Sequence, residues 1–201
     1  RDFRSIGHKA IFLANGWRTL QTIGWEHAEP VLRSLAYAML NHNGEPNPAT
    51  SDLAPDRSWK SNQQLAAKFR DGWESGTMDS AATTELLTTL RTGTADNAAT
   101  LVVELVNRQV SPQSIYDALH LAAGELLMRQ SGIVPLHAAT TTNALRFLFD
   151  HRKPQTRNRC CCRMLHFCHS SGNQCRREVR SEIRRSIRWW RSKQRNMLRS
   201  I

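Results

Sequence analysis

Residues 1–150 contain no cysteine; all five cysteines fall between Cys160 and Cys175. A thiol nucleophile is therefore excluded from most of the chain. The same 150 residues hold no Gly-rich phosphate loop, no G-x-S-x-G elbow, no H-E-x-x-H pair and no dinucleotide-binding fingerprint. P-loop, serine-hydrolase, zincin and Rossmann chemistries are set aside with them. No run of about 18 apolar residues occurs, so no transmembrane helix is expected. No signal peptide is visible, and a cytoplasmic location is the working expectation. The first residue is Arg, not Met, so the chain reads as a fragment or a processed product. No stretch alternates apolar and polar residues as a strand would, and no fixed-period repeat is found.

What is present divides sharply near Asp150. Residues 1–150 carry 13 Lys and Arg against 15 Asp and Glu, whereas residues 151–201 carry 15 against 2. The formal net charge of +11 thus belongs to the last quarter of the chain. The chain reads as an all-α domain over 1–150, a fragment of a longer domain, and a Cys/Arg-rich C-terminal tail over 151–201, which can be a frame-shifted or poorly ordered segment.

The body is punctuated as about seven helices, in an irregular bundle or stacked hairpins, with short links that favour antiparallel neighbours. Over residues 5–24, Ile6, Ala10, Leu13, Trp17 and Leu20 share one helix face. His8, Phe12, Asn15 and Thr19 share the opposite face, which is either solvated or lines a cleft. Gly24 stops this helix. After Trp25, Glu26, His27 and Glu29, Pro30 opens a second apolar helix that runs to about Leu40. Residues 43–58 hold three prolines and many turn formers and make the one long loop. A helix then starts near Trp59 and ends near Asp71. Asp79-Ser80 caps the next helix, and Thr94 or Asp96 the one after.

Residues 111–149 organise the rest. Ser111 is a good N-cap and Pro112 a good first helical residue, while Ser131-Gly132 ends one helix and Pro135 opens the next. Ile115, Ala118, Leu119, Ala122 and Leu126 form one apolar stripe, and Tyr116, Ala123 and Leu127 a second beside it. A helix apolar around most of its girth is central in its domain. Trp17, Leu20, Leu35, Leu119, Ala122 and Leu126 are the expected core.

The tail has three readings, which stay open together. Cys160, Cys161, Cys162, His166, Cys168, His169 and Cys175 supply metal ligands in number, without the paired C-x2–4-C knuckles of a zinc site. Val179, Ile183, Ile187, Trp190, Met197 and Ile201 make an apolar stripe among arginines, a form that binds nucleic acid or anionic membranes. The abrupt change of composition is also what a shifted reading frame gives, and then the charge says nothing about partners.

Four helix-borne histidines remain as the chemistry of the body: His8, His27, His120 and His137. Imidazoles on bundle helices can ligate iron or move protons near neutral pH. Asp117 and His120 are three residues apart on one helix and can reach one metal ion. The paired Glu-x-x-His motifs of a di-iron bundle are absent. The plainer alternative is that each histidine is a satisfied core or cap residue, in a scaffold or interaction domain without chemistry. Groups that share a metal require nitrogens within roughly 3–4.5 Å of each other.

Two stretches, GHKAIFLANGWRTLQTIGWEHAEPVLRSL from Gly7 and DALHLAAGELLMRQSGIVPLHAATTTNALRFLF from Asp117, resemble the all-helical questin oxidase-like family and related uncharacterised bacterial proteins. The pieces that carry the resemblance are G-H-x-x-I and L-H-x-x-T-x-x-x-A-L. The resemblance implies an oxidoreductase acting on an aromatic or polyketide-type small molecule in a helical pocket, with iron or NADPH as cofactor. It points first to His8 and His137 as catalytic positions; His27 and His120 join them on geometry alone.

Overall fold

The computed structural model describes residues 2–130 and 132–151; the tail with its three readings lies outside the described residues. Seven α-helices form the body: α1 (His8–Ile23), α2 (Ala28–Leu40), α3 (Ala54–Ala66), α4 (Ser80–Thr92), α5 (Ala95–Asn107), α6 (Pro112–Arg129) and α7 (Ile133–Asp150). Short 3-10 helices occupy Asp2–Ser5, Trp25–His27 and Trp73–Ser75. Among the described residues the one β-type pairing is a bridge between Thr77 and Val110. The fold is all-α.

Helices α4, α5 and α6 start where a side chain satisfies free N–H groups of the first turn. Asp79 accepts from the backbone of Ala81 at 2.8 Å and Ala82 at 3.1 Å. Thr94, not Asp96, caps α5, in a reciprocal capping box with Asn97. The Ser111 hydroxyl accepts from the backbone of Gln113 at 3.2 Å. Helix α3 departs from the sequence pattern: it begins at Ala54, five residues before Trp59, and ends at Ala66. Pro55 sits in its first turn, where a missing N–H costs nothing, so this proline opens the helix rather than belonging to the loop.

The packing order runs α2, α1, α7, α6, α4, α5, α3, and the Asp2–Ser5 turn touches both α1 and α3. Short links make antiparallel hairpins of α1–α2, α4–α5 and α6–α7. Between hairpins the helices run parallel. Ser114 of α6 meets Asp79 and Thr83 at the start of α4, and Glu125 pairs with Arg91 near the far ends. On the other side, His8 and His137 meet at the starts of α1 and α7, and Arg18 reaches Asn143 and the Phe147 ring farther along.

The core gathers Ala10 and Ala14 of α1, Leu86 of α4, Val102, Leu105 and Val106 of α5, and Ile115, Tyr116 and Leu119 of α6, with Trp73 and Phe149 alongside. Leu20 and Leu119 are buried as expected, and Ala122 and Leu126 are half-buried against the core. Trp17 is not a core residue: it is 43% exposed and packs edge-on against Trp25, ring centres 5.2 Å apart. Leu35 is only half-buried, because α2 packs mainly on α1 and buries none of its residues. Helix α6 is central between α4 and α7, but Leu121, Leu127 and Met128 near its C-terminal end are exposed.

A buried ion pair fixes the start of the chain. The Arg4 guanidinium donates to both Asp56 carboxylate oxygens, at 2.9 and 2.6 Å, and to Glu45 at 2.8 Å and the Pro46 carbonyl at 2.9 Å. The Arg4 and Asp56 side chains are almost wholly buried. Arg4 therefore ties the Asp2–Ser5 turn to α3 and to the long loop at once. The loop so held is part of the frame that delivers the first turn of α1.

Candidate functional site

Helix α1 begins at an unusual junction. Ile6 has φ 47° and Gly7 has φ 87°. Glycine takes the left-handed region freely, whereas a β-branched residue there is strained, at about 1–3 kcal/mol. The strain persists because both residues are held against α7. The Thr141 hydroxyl donates to the Ile6 carbonyl at 3.1 Å. A Cβ on Gly7 would lie 2.4 Å from the Thr141 oxygen and 2.5 Å from its methyl carbon. Only glycine lets the start of α1 come this close to α7. His8 follows Gly7, and His137 lies one turn before Thr141 on the same face of α7. The close approach at Gly7 and Thr141 thus sets the two imidazoles side by side.

His8 Nε2 and His137 Nε2 are 2.8 Å apart, the rings edge to face with centres 4.7 Å apart. The hydrogen bonds assign the tautomers. His137 Nδ1 lies 2.7 Å from the Ile133 carbonyl, which can only accept, so Nδ1 carries the proton. In the neutral ring Nε2 is then the acceptor, and His8 Nε2–H is the donor across the contact. That leaves Nδ1 of His8 as the basic nitrogen of the pair. One proton fits between the two Nε2 atoms and two do not. Phe12, one turn along α1, has its ring centre 6.5 Å from that of His8 and is 46% exposed. Phe12, Asn15 and Thr19 are all exposed, so the face of α1 that bears His8 is open.

The other two histidines do not join this pair. His27 is exposed at the start of α2, beyond the far end of α1, which over 16 residues is about 24 Å away. His120 is exposed on the outer side of α6 and donates from Nδ1 to the Tyr116 carbonyl at 2.8 Å. Asp117 lines the same open groove, together with Leu121, Gly124, Glu125, Met128 and Arg129, and accepts from Gln113 at 2.6 Å. Among the described residues no three His, Cys, Asp or Glu side chains come together as a metal centre. The His8–His137 pair offers two nitrogens, and among the described residues no third His, Cys, Asp or Glu joins them as an iron ligand. No cradle for the phosphates of NADPH was read in the sequence.

The groups that shape this site without looking catalytic are Arg4, Ile6, Gly7 and Thr141. The sequence placed Ile6 in an apolar stripe and Gly7 in the G-H-x-x-I piece but gave none of the four this role, because it depends on which helix lies opposite. One signal was present: Thr141 follows His137 by four residues and so shares its face. The electrostatics near the frame are strong. Arg4 holds the Asp56 carboxyl below the usual carboxylate range, and His42 first, with Arg4, does the same to Glu45. Comparison with family models, with curated proteins and with solved structures finds no match for this chain.

Proposed function

We propose that the helical body supplies the acid–base part of an oxidoreductase acting on a phenolic aromatic small molecule. His8 is the base, and His137 is the positioning residue that fixes its tautomer. The observation that carries this reading is the 2.8 Å contact between the two rings. The resemblance points to the same two histidines, and the strained junction before His8 supports a functional rather than a merely structural pair. A phenol over Phe12 gives its proton to Nδ1 of His8, and the imidazolium that results is stabilised by a charge-assisted hydrogen bond to His137. The test is binding of hydroxylated anthraquinones, followed by the visible band of the phenolate. Wild-type protein should ionise the bound ligand; His8→Gln should bind without ionising it. Equal ionisation by both proteins would end the reading.

A second reading, a scaffold or interaction domain without chemistry, is favoured by one observation. Helix α2 buries none of its residues and leaves Leu32, Tyr37 and Leu40 exposed. Pull-down partners lost on replacing these three residues, with His8→Gln silent in every assay, would support it.

A further inference from the structure

The chain contains two Asn-Gly pairs, Asn15-Gly16 and Asn43-Gly44. Asparagine is a labile residue, most of all before glycine. The backbone nitrogen of the glycine can reach the asparagine amide carbon, and glycine has no side chain to hinder the approach. The fold treats the two pairs oppositely. Asn15 and Gly16 lie in the middle of α1. A helix commits the Gly16 N–H to the carbonyl four residues back, that of Phe12, and directs it along the axis, away from the Asn15 side chain. Asn43 and Gly44 are the two central residues of an exposed turn, closed by the Glu45 N–H on the His42 carbonyl at 3.4 Å. Gly44 has φ 82°, and a Cβ there would meet no atom within 4 Å. Asn43 gives its own N–H to the Leu40 carbonyl at 2.8 Å, whereas the Gly44 N–H bonds no group among the described residues. The nitrogen that the helix ties down at Gly16 is thus unengaged at Gly44.

This turn is pinned on both sides to the start of α1. The Lys9 ammonium donates to the Met39 and Asn41 carbonyls at 2.9 and 3.0 Å, just before the pair. Arg4 donates to the Glu45 carboxylate at 2.8 Å and to the Pro46 carbonyl at 2.9 Å, just after it. His42 Nδ1 lies 2.6 Å from the other Glu45 oxygen. Arg4 and Lys9 stand on either side of Ile6, Gly7 and His8. The length of backbone between Asn41 and Glu45 therefore sets how two residues flanking the His8 junction are held.

We infer that Asn43 is a self-modifying residue, and that its modification loosens the start of α1. The Gly44 nitrogen bonds to Asn43 Cγ, the Cγ–Nδ2 bond breaks, and ammonia leaves with the proton of the attacking nitrogen. Water then opens the cyclic imide. Breaking the imide bond at Cγ gives aspartate with the backbone unchanged. Breaking it at the backbone carbonyl gives isoaspartate, whose backbone runs through the side-chain methylene and is longer by that carbon. Nothing is oxidised or reduced. The longer backbone falls between the Lys9 and Arg4 anchors, so the two cannot both keep their geometry. The inference does not depend on the chemistry proposed for His8.

Peptide mapping of the full chain, aged at neutral pH, tests this. Trypsin places the two pairs in different peptides, ending at Arg18 and Arg57. In the folded protein Asn43 should convert to aspartate and isoaspartate, each detected by its gain in mass. Asn15 should react at least about tenfold more slowly, since α1 must open first. In urea the two pairs should react at similar rates, because only the fold distinguishes them. The Ile11 amide reports on the first turn of α1, where it bonds the Gly7 carbonyl at 3.0 Å. In the separated isoaspartate form its hydrogen exchange should be at least about tenfold faster than in the unaged chain. Asn43→Asp, with the charge but not the longer backbone, should leave that exchange unchanged, and Asn43→Gln should prevent the ageing. Asn15 reacting as fast as Asn43 in the folded chain overturns the inference. So does an Asn43 that stays intact while the unfolded chain reacts, or an isoaspartate form whose Ile11 amide exchanges as slowly as before.

Discussion

Helices α2 and α5 have the same length, 13 residues, and both are apolar along one side. Helix α5 buries seven residues, Ala95, Ala98, Ala99, Val102, Val103, Leu105 and Val106. Helix α2 buries none. The difference is one of neighbours. Helix α5 meets α3, α4 and the Trp73–Ser75 turn, while α2 meets α1 and the Trp25–His27 turn that leads into it. An apolar stripe states that a helix has a face to bury; the topology decides whether this chain supplies the cover. The well-covered half of the molecule provides rigidity, and the open half, with α1, α2 and the free face of α6, provides surface.

Substitutions break or sharpen that contrast in order of size. Leu105→Ala, at a fully buried site of α5, should cost about 2–5 kcal/mol in urea unfolding, and Leu119→Ala in α6 a similar amount. A cost below about 1 kcal/mol at either position would contradict the assigned core. Asp56→Ala should cost about 3 kcal/mol, the low end for a buried pair, because Glu45 still faces the stranded guanidinium. Its pH dependence has a definite sign. Asp56 and Glu45 both titrate below their ordinary values in the folded protein. The unfolded chain therefore binds more protons in that window, and stability rises with pH there. The contribution is complete above the ordinary carboxylate values and is lost as pH falls through the folded ones. Asp56→Asn should flatten this acid slope. Arg4, whose ionisation is pushed upward, changes nothing below the ordinary arginine range.

Gly7→Ala should cost about 1–3 kcal/mol, from the left-handed backbone and the collision with Thr141. It should also move the two histidines apart, which a crystal structure of the variant would show. The smallest effects belong to α2: Leu32→Ala should stay within about 0.5 kcal/mol of wild type by thermal or urea unfolding. A loss as large as that in α5 would mean that α2 is covered after all.

Much of the fold was legible from local signals. Asp79, Thr94, Ser111 and Pro112 mark helix starts because capping depends on residues within one turn. The long apolar α6 announced its central place. Trp17 was misread because periodicity shows which face a residue shares, not whether another layer covers it. Pro55 was misread because one proline serves equally well as a loop former and as a first-turn residue. The pairing of His8 with His137 rested on a contact between residues 129 positions apart, which no local pattern encodes. The chemistry of the four histidines was visible; that two meet while His27 and His120 stand apart was not. The Arg4–Asp56 pair is equally long-range, spanning 52 positions.

The starts of α1 and α7 bring His8 and His137 into a hydrogen bond, and the site depends on it. Nitrogen-15 spectra of the histidine rings at alkaline pH, with both rings neutral, test it most directly. The structure predicts His137 protonated on Nδ1, His8 protonated on Nε2, and a coupling across the Nε2–Nε2 hydrogen bond that vanishes in Gly7→Ala. Two rings of the same tautomer, without that coupling and indifferent to Gly7, would contradict it.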